Sequence, residues 1–131
     1  MEKITKLRKF FKNYNLDGYI IPKNNNFFGE YIPESEDNLK YISNFTGSAG
    51  FAVILKNKNY MFVDGRYTIQ AGTQCGREFQ ICNIPKEYPF TVFKNKNLNL
   101  GFDPKLHTEN SINRLFSNSL VKLKPVNKNL I

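Results

Sequence analysis

The chain has 131 residues, 40% of them hydrophobic, which is enough for one domain with a sizeable core. Its apolar runs fall well short of the ~20 residues that span a bilayer, and the start at Met1 lacks the apolar core of a secretory signal. We therefore expect a cytoplasmic protein without a membrane partner. Cys75 and Cys82 are too few for a disulfide framework or a zinc site, so we expect two reduced thiols.

The net charge of +8 raises the question of nucleic-acid binding. The lysines, however, are scattered along the chain rather than stacked on one predicted helix face. Asparagine is equally overused, and joint enrichment of Lys, Asn, Ile and Phe is typical of an AT-rich genome. Because dispersed charge gives only weak, salt-sensitive attraction, we expect no specific nucleic-acid partner.

Hydrophobic periodicity divides the chain into helices and strands without a repeat or an internal linker. Helices are predicted where apolar residues recur at helical spacing, as Ile4, Leu7 and Phe11 do, and strands where short apolar runs end at turn residues. In chain order the predicted elements are a helix at 2–14, a strand at 19–21, a short helix through about 43, strands at 51–55 and 60–63, a helix at 66–74, strands at 78–82 and 98–102, a helix at 110–118 and a strand at 120–123. This order predicts a layered α/β domain, with a mixed β-sheet of about six strands flanked by helices.

Turn-forming residues mark the junctions between these elements. Asn15 and the Asp17–Gly18 pair close the first helix, and Pro22 ends the first strand. The segment 56–59 predicts a β-hairpin with a four-residue loop. Residues 126–131 carry no element of their own, as we expect at a domain boundary.

The segment Gly47-Ser48-Ala49-Gly50 has the composition of a functional loop, but it matches neither of two known kinds. A phosphate loop needs Lys-Ser/Thr after its last glycine, where this chain has Phe51. A nucleophile elbow needs Gly-x-Ser-x-Gly, whereas Gly47 directly precedes Ser48. We therefore interpret Gly47, Ser48 and Gly50 as a structural turn, whose small residues tolerate positive φ and close packing.

Asp64-Gly65-Arg66, at the end of an apolar strand, allows two interpretations. In the first it is a structural turn, with Asp64 as the N-cap that accepts a hydrogen bond from the following backbone. In the second, Arg66 presents its guanidinium from a rigid strand–helix junction to a carboxylate or carbonyl. The residues alone leave both open.

No catalytic residue and no metal ligand is predicted in this chain. His107 is the only histidine, and one imidazole cannot build a catalytic triad or a histidine-rich metal site. Four carboxylates cluster in a polar loop without a spaced histidine, and we interpret them as a solvated loop. They are Glu30, Glu34, Glu36 and Asp37.

Two motifs closely resemble, at this spacing, the amino-terminal domain of aminopeptidase P (Xaa-Pro aminopeptidase) in the creatinase/prolidase family. They are 45–50, Phe-Thr-Gly-Ser-Ala-Gly, and 64–67, Asp-Gly-Arg-Tyr. The likeness runs over nearly the whole chain, and its less specific parts are 16–22, 30–32, 100–104 and 125–130. One departure is Phe27-Phe28-Gly29, which precedes Glu30 where the family often has a histidine.

The resemblance implies that residues 1–131 form a creatinase-type N-terminal accessory domain with a ribonuclease H-like mixed sheet. In the family such a domain precedes a catalytic domain of pita-bread fold, absent from this chain, which holds two divalent metal ions, usually manganese. The whole protein is then a cytoplasmic metallopeptidase that releases an N-terminal residue preceding proline. The domain supports dimerisation and narrows the active-site mouth. Arg66 matches an arginine that contacts peptide substrate, and Asp64 remains a cap.

Two other functions stay open within this family. Catalytically inactive relatives, including histone-chaperone subunits, use the same domain as a binding or scaffold module. Creatinase-type enzymes attach it to an amidinohydrolase. The metal ligands of the catalytic domain would distinguish these possibilities, because a complete set of Asp, His and Glu ligands indicates an enzyme.

Overall fold

The computed structural model describes residues 2–23, 37–47, 50–84, 86–107, 109–117, 119–126 and 130. Its helices are α1 (Glu2–Tyr14), α2 (Asn38–Ser43), α3 (Thr68–Cys75), α4 (Pro89–Val92) and α5 (Glu109–Leu115), with single 3₁₀ turns at Gly65–Tyr67 and Gly76–Glu78. Its strands are β1 (Gly18–Pro22), β2 (Phe51–Leu55), β3 (Asn59–Asp64), β4 (Phe79–Ile84), β5 (Asn99–Phe102) and β6 (Lys122–Pro125). None of the helices in these ranges is long and apolar enough to cross a membrane.

In the described part of the chain, six strands form one mixed sheet in the order β4-β3-β2-β1-β5-β6. Strand β2 is antiparallel to both of its neighbours, β1 and β3. The other three neighbouring pairs are parallel, namely β3–β4, β1–β5 and β5–β6. Five strands therefore run in one direction, and their carboxyl ends lie along the same edge of the sheet. The predicted mixed sheet of about six strands is confirmed.

Both faces of the central strands are covered. Successive residues of a strand point to opposite faces, so Val53 belongs to one core cluster and Ile54 to the other. Helices α1, α2 and α3 cover the Ile54 face, and α5 with Phe93 covers the Val53 face. This double burial is the reason why β1 and β2 are continuous apolar runs rather than alternating ones.

The element boundaries follow the prediction to within one to three residues, and α5 ends at Leu115 rather than at 118. Other differences have a local cause. Helix α1 has the predicted bounds, and Asn15 ends it with φ 57°. The predicted helix at 66–74 begins as a 3₁₀ turn, because the Asp64 carboxylate and the Thr68 hydroxyl bond the backbone of 65–66. Helix α4 was not predicted, since four residues show no periodicity. Strand β6 lies two residues later than predicted, and Pro22 belongs to β1 as its last residue.

The described residues after β6, Val126 and Leu130, pack against the domain outside any helix or strand. Val126 is 2% exposed and Leu130 is 6% exposed, and both belong to the same cluster as α1. The backbone N–H of Val126 donates to the carbonyl of Phe102 at 2.9 Å. Residues 127–129 and 131 lie outside the described ranges. The described part of this segment therefore contributes to the core.

The two cysteines are free and buried, which confirms the predicted thiols. Cys75 ends α3 and packs in the cluster on one face of the sheet, whereas Cys82 of β4 packs in the cluster on the other face. Burial raises the pKa of both thiols, that of Cys82 to about 11. A disulfide between them would have to cross the sheet.

Candidate functional site at the end of strand β3

Strand β3 ends at Asp64, and the chain there turns sharply into α3. The Oδ1 atom of Asp64 accepts hydrogen bonds from the backbone N–H of Arg66 at 3.0 Å and from Nε of Arg66 at 3.2 Å. The backbone hydrogen bond, followed by the side-chain one, lowers the pKa of the Asp64 carboxyl. Asp64 thus lies at the N-cap position of the 3₁₀ turn and orients the Arg66 side chain.

Arg66 projects from this turn with its side chain 78% exposed. Its guanidinium carbon lies 5.5 Å from the centre of the Tyr67 ring, which supports the side chain on one side. Only Nε is engaged with a partner in the described part of the chain. The two terminal nitrogens can therefore donate to a carboxylate or carbonyl in the forked arrangement that arginine favours.

The 45–47 segment lies directly beside this turn. The ring of Tyr67 meets the buried ring of Phe45 edge to face, with centroids 6.1 Å apart. Thr46 is held by two glutamines of α3: its N–H donates to Gln74 Oε1 at 2.9 Å, and its hydroxyl accepts from Gln74 at 2.8 Å and Gln70 at 3.1 Å. The two sequence motifs are therefore joined in one surface.

The glycines of the predicted turn differ in what they require. Gly50 has φ +150°, and a Cβ there would lie 3.1 Å from the Phe62 carbonyl oxygen. A Cβ on Gly47 would overlap the buried Phe45 ring, and one on Gly65 would lie 3.1 Å from Asn83 Oδ1. Ser48 lies outside the described residues.

Sequence reasoning missed the polar and apolar residues that surround Arg66. Gln70 and Gln74 anchor Thr46, and their i, i+4 spacing on a predicted helix was the signal that two side chains share a face. Ile69 is 85% exposed on α3, the highest exposure among the large hydrophobic side chains of the described residues. The side-chain amide oxygen of Asn83 lies behind Gly65. It is buried and has no hydrogen-bond partner among the described residues.

The other candidates do not form a site in the described residues. Asp37 was interpreted as part of a solvated loop, and this was wrong: its carboxylate is buried, pairs with Lys23 and caps α2. His107 is half-buried against Phe102, with ring centroids 5.8 Å apart, and burial lowers its pKa to about 4. Glu30, Glu34, Glu36 and the Phe27–Phe28 loop lie outside the described ranges.

Two divalent metal ions would need a cluster of hard or imidazole ligands. Nowhere in the described ranges do three or more His, Cys, Asp or Glu side chains come together in a way that could hold a metal ion. The acidic group nearest to Arg66, Asp64, is bonded to that arginine rather than grouped with other carboxylates. The described residues of this chain therefore form no site for the metal pair, which the sequence resemblance places in a separate catalytic domain.

The sequence profile of the Creatinase/Prolidase N-terminal domain matches residues 3–130. The chain belongs to this family. The resemblance recognised in the two motifs is thus confirmed, and the match extends from the first turn of α1 to Leu130 at the edge of the core.

The curated relatives of this creatinase/prolidase domain are much longer proteins. A probable Xaa-Pro aminopeptidase P of Coprinopsis cinerea is 32% identical over 99% of this chain, which covers 22% of that protein. One of Talaromyces marneffei is also 32% identical over 99% of the chain, which covers 21% of it. The chain therefore spans about a fifth of the length of these relatives.

Solved structures show the same fold. The X-prolyl aminopeptidase of Caenorhabditis elegans, described as a cytosolic enzyme with a di-nuclear active site, superposes with a TM-score of 0.84 at 22% identity, over 98% of this chain and 24% of that one. The N-terminal domain of the cytoplasmic peptidase PepQ of Mycobacterium tuberculosis gives a TM-score of 0.74 at 19% identity, over 95% and 92%. The creatinase N-terminal domain fold is confirmed.

Proposed function

We propose that this chain is the non-catalytic N-terminal domain of a cytoplasmic, metal-dependent Xaa-Pro aminopeptidase. The complete protein releases an N-terminal residue that precedes proline. One observation carries this proposal: the chain matches one family over residues 3–130, and that stretch covers about a fifth of relatives named as probable Xaa-Pro aminopeptidases P. The cytosolic description of the nematode enzyme supports the compartment.

The metal chemistry belongs to a separate catalytic domain in this proposal. The nematode enzyme is described as di-nuclear, and the described residues of this chain do not bring three potential ligands together. We assign two divalent ions, manganese, to that other domain. The N-terminal domain on its own is then inactive.

Arg66 is the residue of this domain that we assign to peptide binding. Its two terminal nitrogens are exposed and without partners in the described ranges, and its Nε is held by Asp64. Such an arginine contributes a charge-assisted, forked contact to a peptide carbonyl or carboxylate. It does not transfer protons, because a guanidinium stays charged at any physiological pH. Its role is to orient the peptide at the mouth of the active site.

We also propose that the surface around Arg66 contacts another part of the assembled enzyme, which is a homodimer. Ile69 lies three residues after Arg66 and is 85% exposed, and the ring of Tyr67 packs against that of Phe45. Burial of the Ile69 side chain on assembly would remove it from water, which favours association. Contacts here narrow the path to the active site and leave Arg66 facing it.

The test is the activity of the complete protein with manganese. A peptide with proline in the second position is compared with the same peptide carrying alanine there, and with creatine. We expect release of the first residue from the proline peptide only, and none from the 131-residue chain alone. Hydrolysis of creatine would indicate an amidinohydrolase, and lack of turnover with all three substrates would indicate a binding or scaffold module.

A further inference from the structure

A basic groove lies where β3 and β4 begin, at the end of the sheet opposite Arg66. No feature of the proposed peptidase explains it. Its volume is about 460 Å³, and it lies between α1, the β2–β3 loop and the start of β4. We call it the Arg8 groove. Its lining residues are Arg8, Asn57, Lys58, Asn59, Arg77, Glu78, Phe79 and Gln80. Three of them are cationic and one is acidic.

Arg8 is fixed in this groove by neutral partners. Its Nε donates to the carbonyl of Leu55 at 2.7 Å, and its Nη2 donates to Oδ1 of Asn59 at 2.7 Å. Asn59 is only 3% exposed and is held in turn by its Nδ2, which donates to the carbonyl of Glu78 at 3.1 Å. Carbonyl and amide oxygens orient a guanidinium without neutralising it. The groove therefore contains a positioned and uncompensated positive charge.

The other two cations of the groove are also uncompensated in the described part of the chain. Lys58 and Arg77 are exposed, and neither is within ion-pair distance of a described carboxylate. Lys58 lies over the ring of Tyr60 at 5.2 Å, which limits its motion without removing its charge. The groove thus gathers three positive charges from segments far apart in sequence around a single exposed glutamate, Glu78.

A second concavity continues the positive surface on the other side of Arg8. It measures about 470 Å³ and is lined by Arg8, Phe11, Lys12, Asn15, Leu16, Asp17 and Lys56. Its one carboxylate, Asp17, is bonded to the backbone N–H of Asn99 at 2.8 Å and lies 3.4 Å from Lys56. Lys12 therefore adds a further positive charge, and the two concavities meet at Arg8.

We propose that the Arg8 groove binds a small, multivalent phosphate-bearing anion. Arg77 provides a forked donor that matches phosphate oxygens, Arg8 adds the N–H groups of its terminal nitrogens that Asn59 leaves open, and Lys58 adds a point charge. The volume lies in the range of small-ligand sites, about 300 to 1,000 Å³. A nucleic-acid strand is a poorer fit, because base stacking needs exposed aromatic rings and the groove's Phe79 is buried.

The experiment is a calorimetric titration of the 131-residue chain with inorganic triphosphate. It compares two variants that lower the net charge equally. The groove variant, Lys58→Glu with Arg77→Glu, reverses two charges of the groove. The control variant, Lys105→Glu with Arg114→Glu, reverses two exposed charges elsewhere. Lys105 follows β5, at the other edge of the sheet. We expect saturable one-to-one binding that the groove variant weakens by about tenfold or more and the control by less than about twofold. Equal loss in both variants would overturn the proposal, since only net charge would then matter.

Two further measurements separate a loss of binding from a loss of folding and test the role of the arginine. Circular dichroism checks the folding of both double variants and of Arg8→Lys, which keeps a charge while removing the planar guanidinium. We expect Arg8→Lys to weaken triphosphate binding by several-fold and to reduce discrimination between triphosphate and sulfate. Absence of saturable triphosphate binding to the folded wild-type chain would overturn the proposal. So would a single-stranded RNA oligomer that binds more tightly than triphosphate and competes with it.

Discussion

The ring of Phe45 lies directly against the Cα of Gly47. A methyl group added to that glycine would overlap Cζ of the ring and lie 2.8 Å from Cε1. Phe45 is fully buried and also meets the ring of Tyr67, the residue after Arg66. The glycine segment and the Arg66 turn are therefore packed through one aromatic ring, and changes at Gly47 should reach the candidate site.

Gly47→Ala should lower the free energy of unfolding by about 1–3 kcal/mol, because the buried Phe45 ring cannot move without disturbing its packing. Gly72→Ala is the matched control. Gly72 lies inside α3 with open space around its Cα, so alanine there should stabilise by about 0.5–1 kcal/mol. Urea unfolding of both variants provides the measurement. Equal stability of the two variants would show that the ring tolerates a Cβ at Gly47.

Gly50→Val tests the entry to strand β2. Gly50 has φ +150°, which valine adopts only with strain, and a Cβ would also lie 3.3 Å from Val63 Cγ1. We expect a loss of about 1–3 kcal/mol in the free energy of unfolding. Thermal unfolding measures it, and an unchanged melting temperature would mean that this turn does not require glycine.

Arg8→Ala should destabilise the domain by about 1–3 kcal/mol, because it leaves the Leu55 carbonyl and the buried Asn59 amide without a donor. Lys9→Ala is the control, since Lys9 is exposed on the neighbouring position of α1 and should change stability by less than about 0.5 kcal/mol. Denaturant unfolding compares the two. Similar small effects would show that Arg8 acts only as a surface charge.

His107 should make the stability fall as the solution becomes acidic. Burial lowers its pKa from 6.5 to about 4, so the unfolded chain takes up a proton before the folded one does. The free energy of unfolding therefore falls by about 1–3 kcal/mol as the pH is lowered from 6.5 towards 4. The comparison is the pH dependence of unfolding in wild type and His107→Gln. Identical slopes between these pH values would contradict the burial of a neutral imidazole.

The elements and the core could be predicted from the sequence because local pattern determines them. Apolar spacing fixed the bounds of α1, and uninterrupted apolar runs located β2 and β3. The strand order and the antiparallel direction of β2 depend on contacts between distant residues, and no window of sequence contains them. Helix α4 was missed because its four residues make barely one turn, too few for an apolar spacing to repeat.

The candidate site was only half predictable for the same reason. Asp64 and Arg66 are only two residues apart in sequence, so their turn could be recognised. The contact of Thr46 with Gln74 joins residues 28 apart. The Arg8 groove is the clearest case: lysines and arginines that are scattered in the sequence meet in space because α1, the β2–β3 loop and β4 converge at one edge of the sheet.

In the proposed function, this domain contributes to the peptidase by contacting the peptide substrate through Arg66. The complete protein is compared with its Arg66→Ala and Arg66→Lys variants on a Xaa-Pro peptide, with Arg114→Ala as an exposed arginine control. Within the isolated chain, Arg66→Ala should change stability by less than about 0.5–1 kcal/mol.

In the complete protein we expect Arg66→Ala to reduce kcat/KM by about ten- to a hundredfold, through loss of a charge-assisted contact, with only partial recovery in Arg66→Lys. Arg114→Ala should be unchanged. Normal kcat/KM in Arg66→Ala, or collapse of the isolated domain on that change, would contradict the account and leave Arg66 as a purely structural residue.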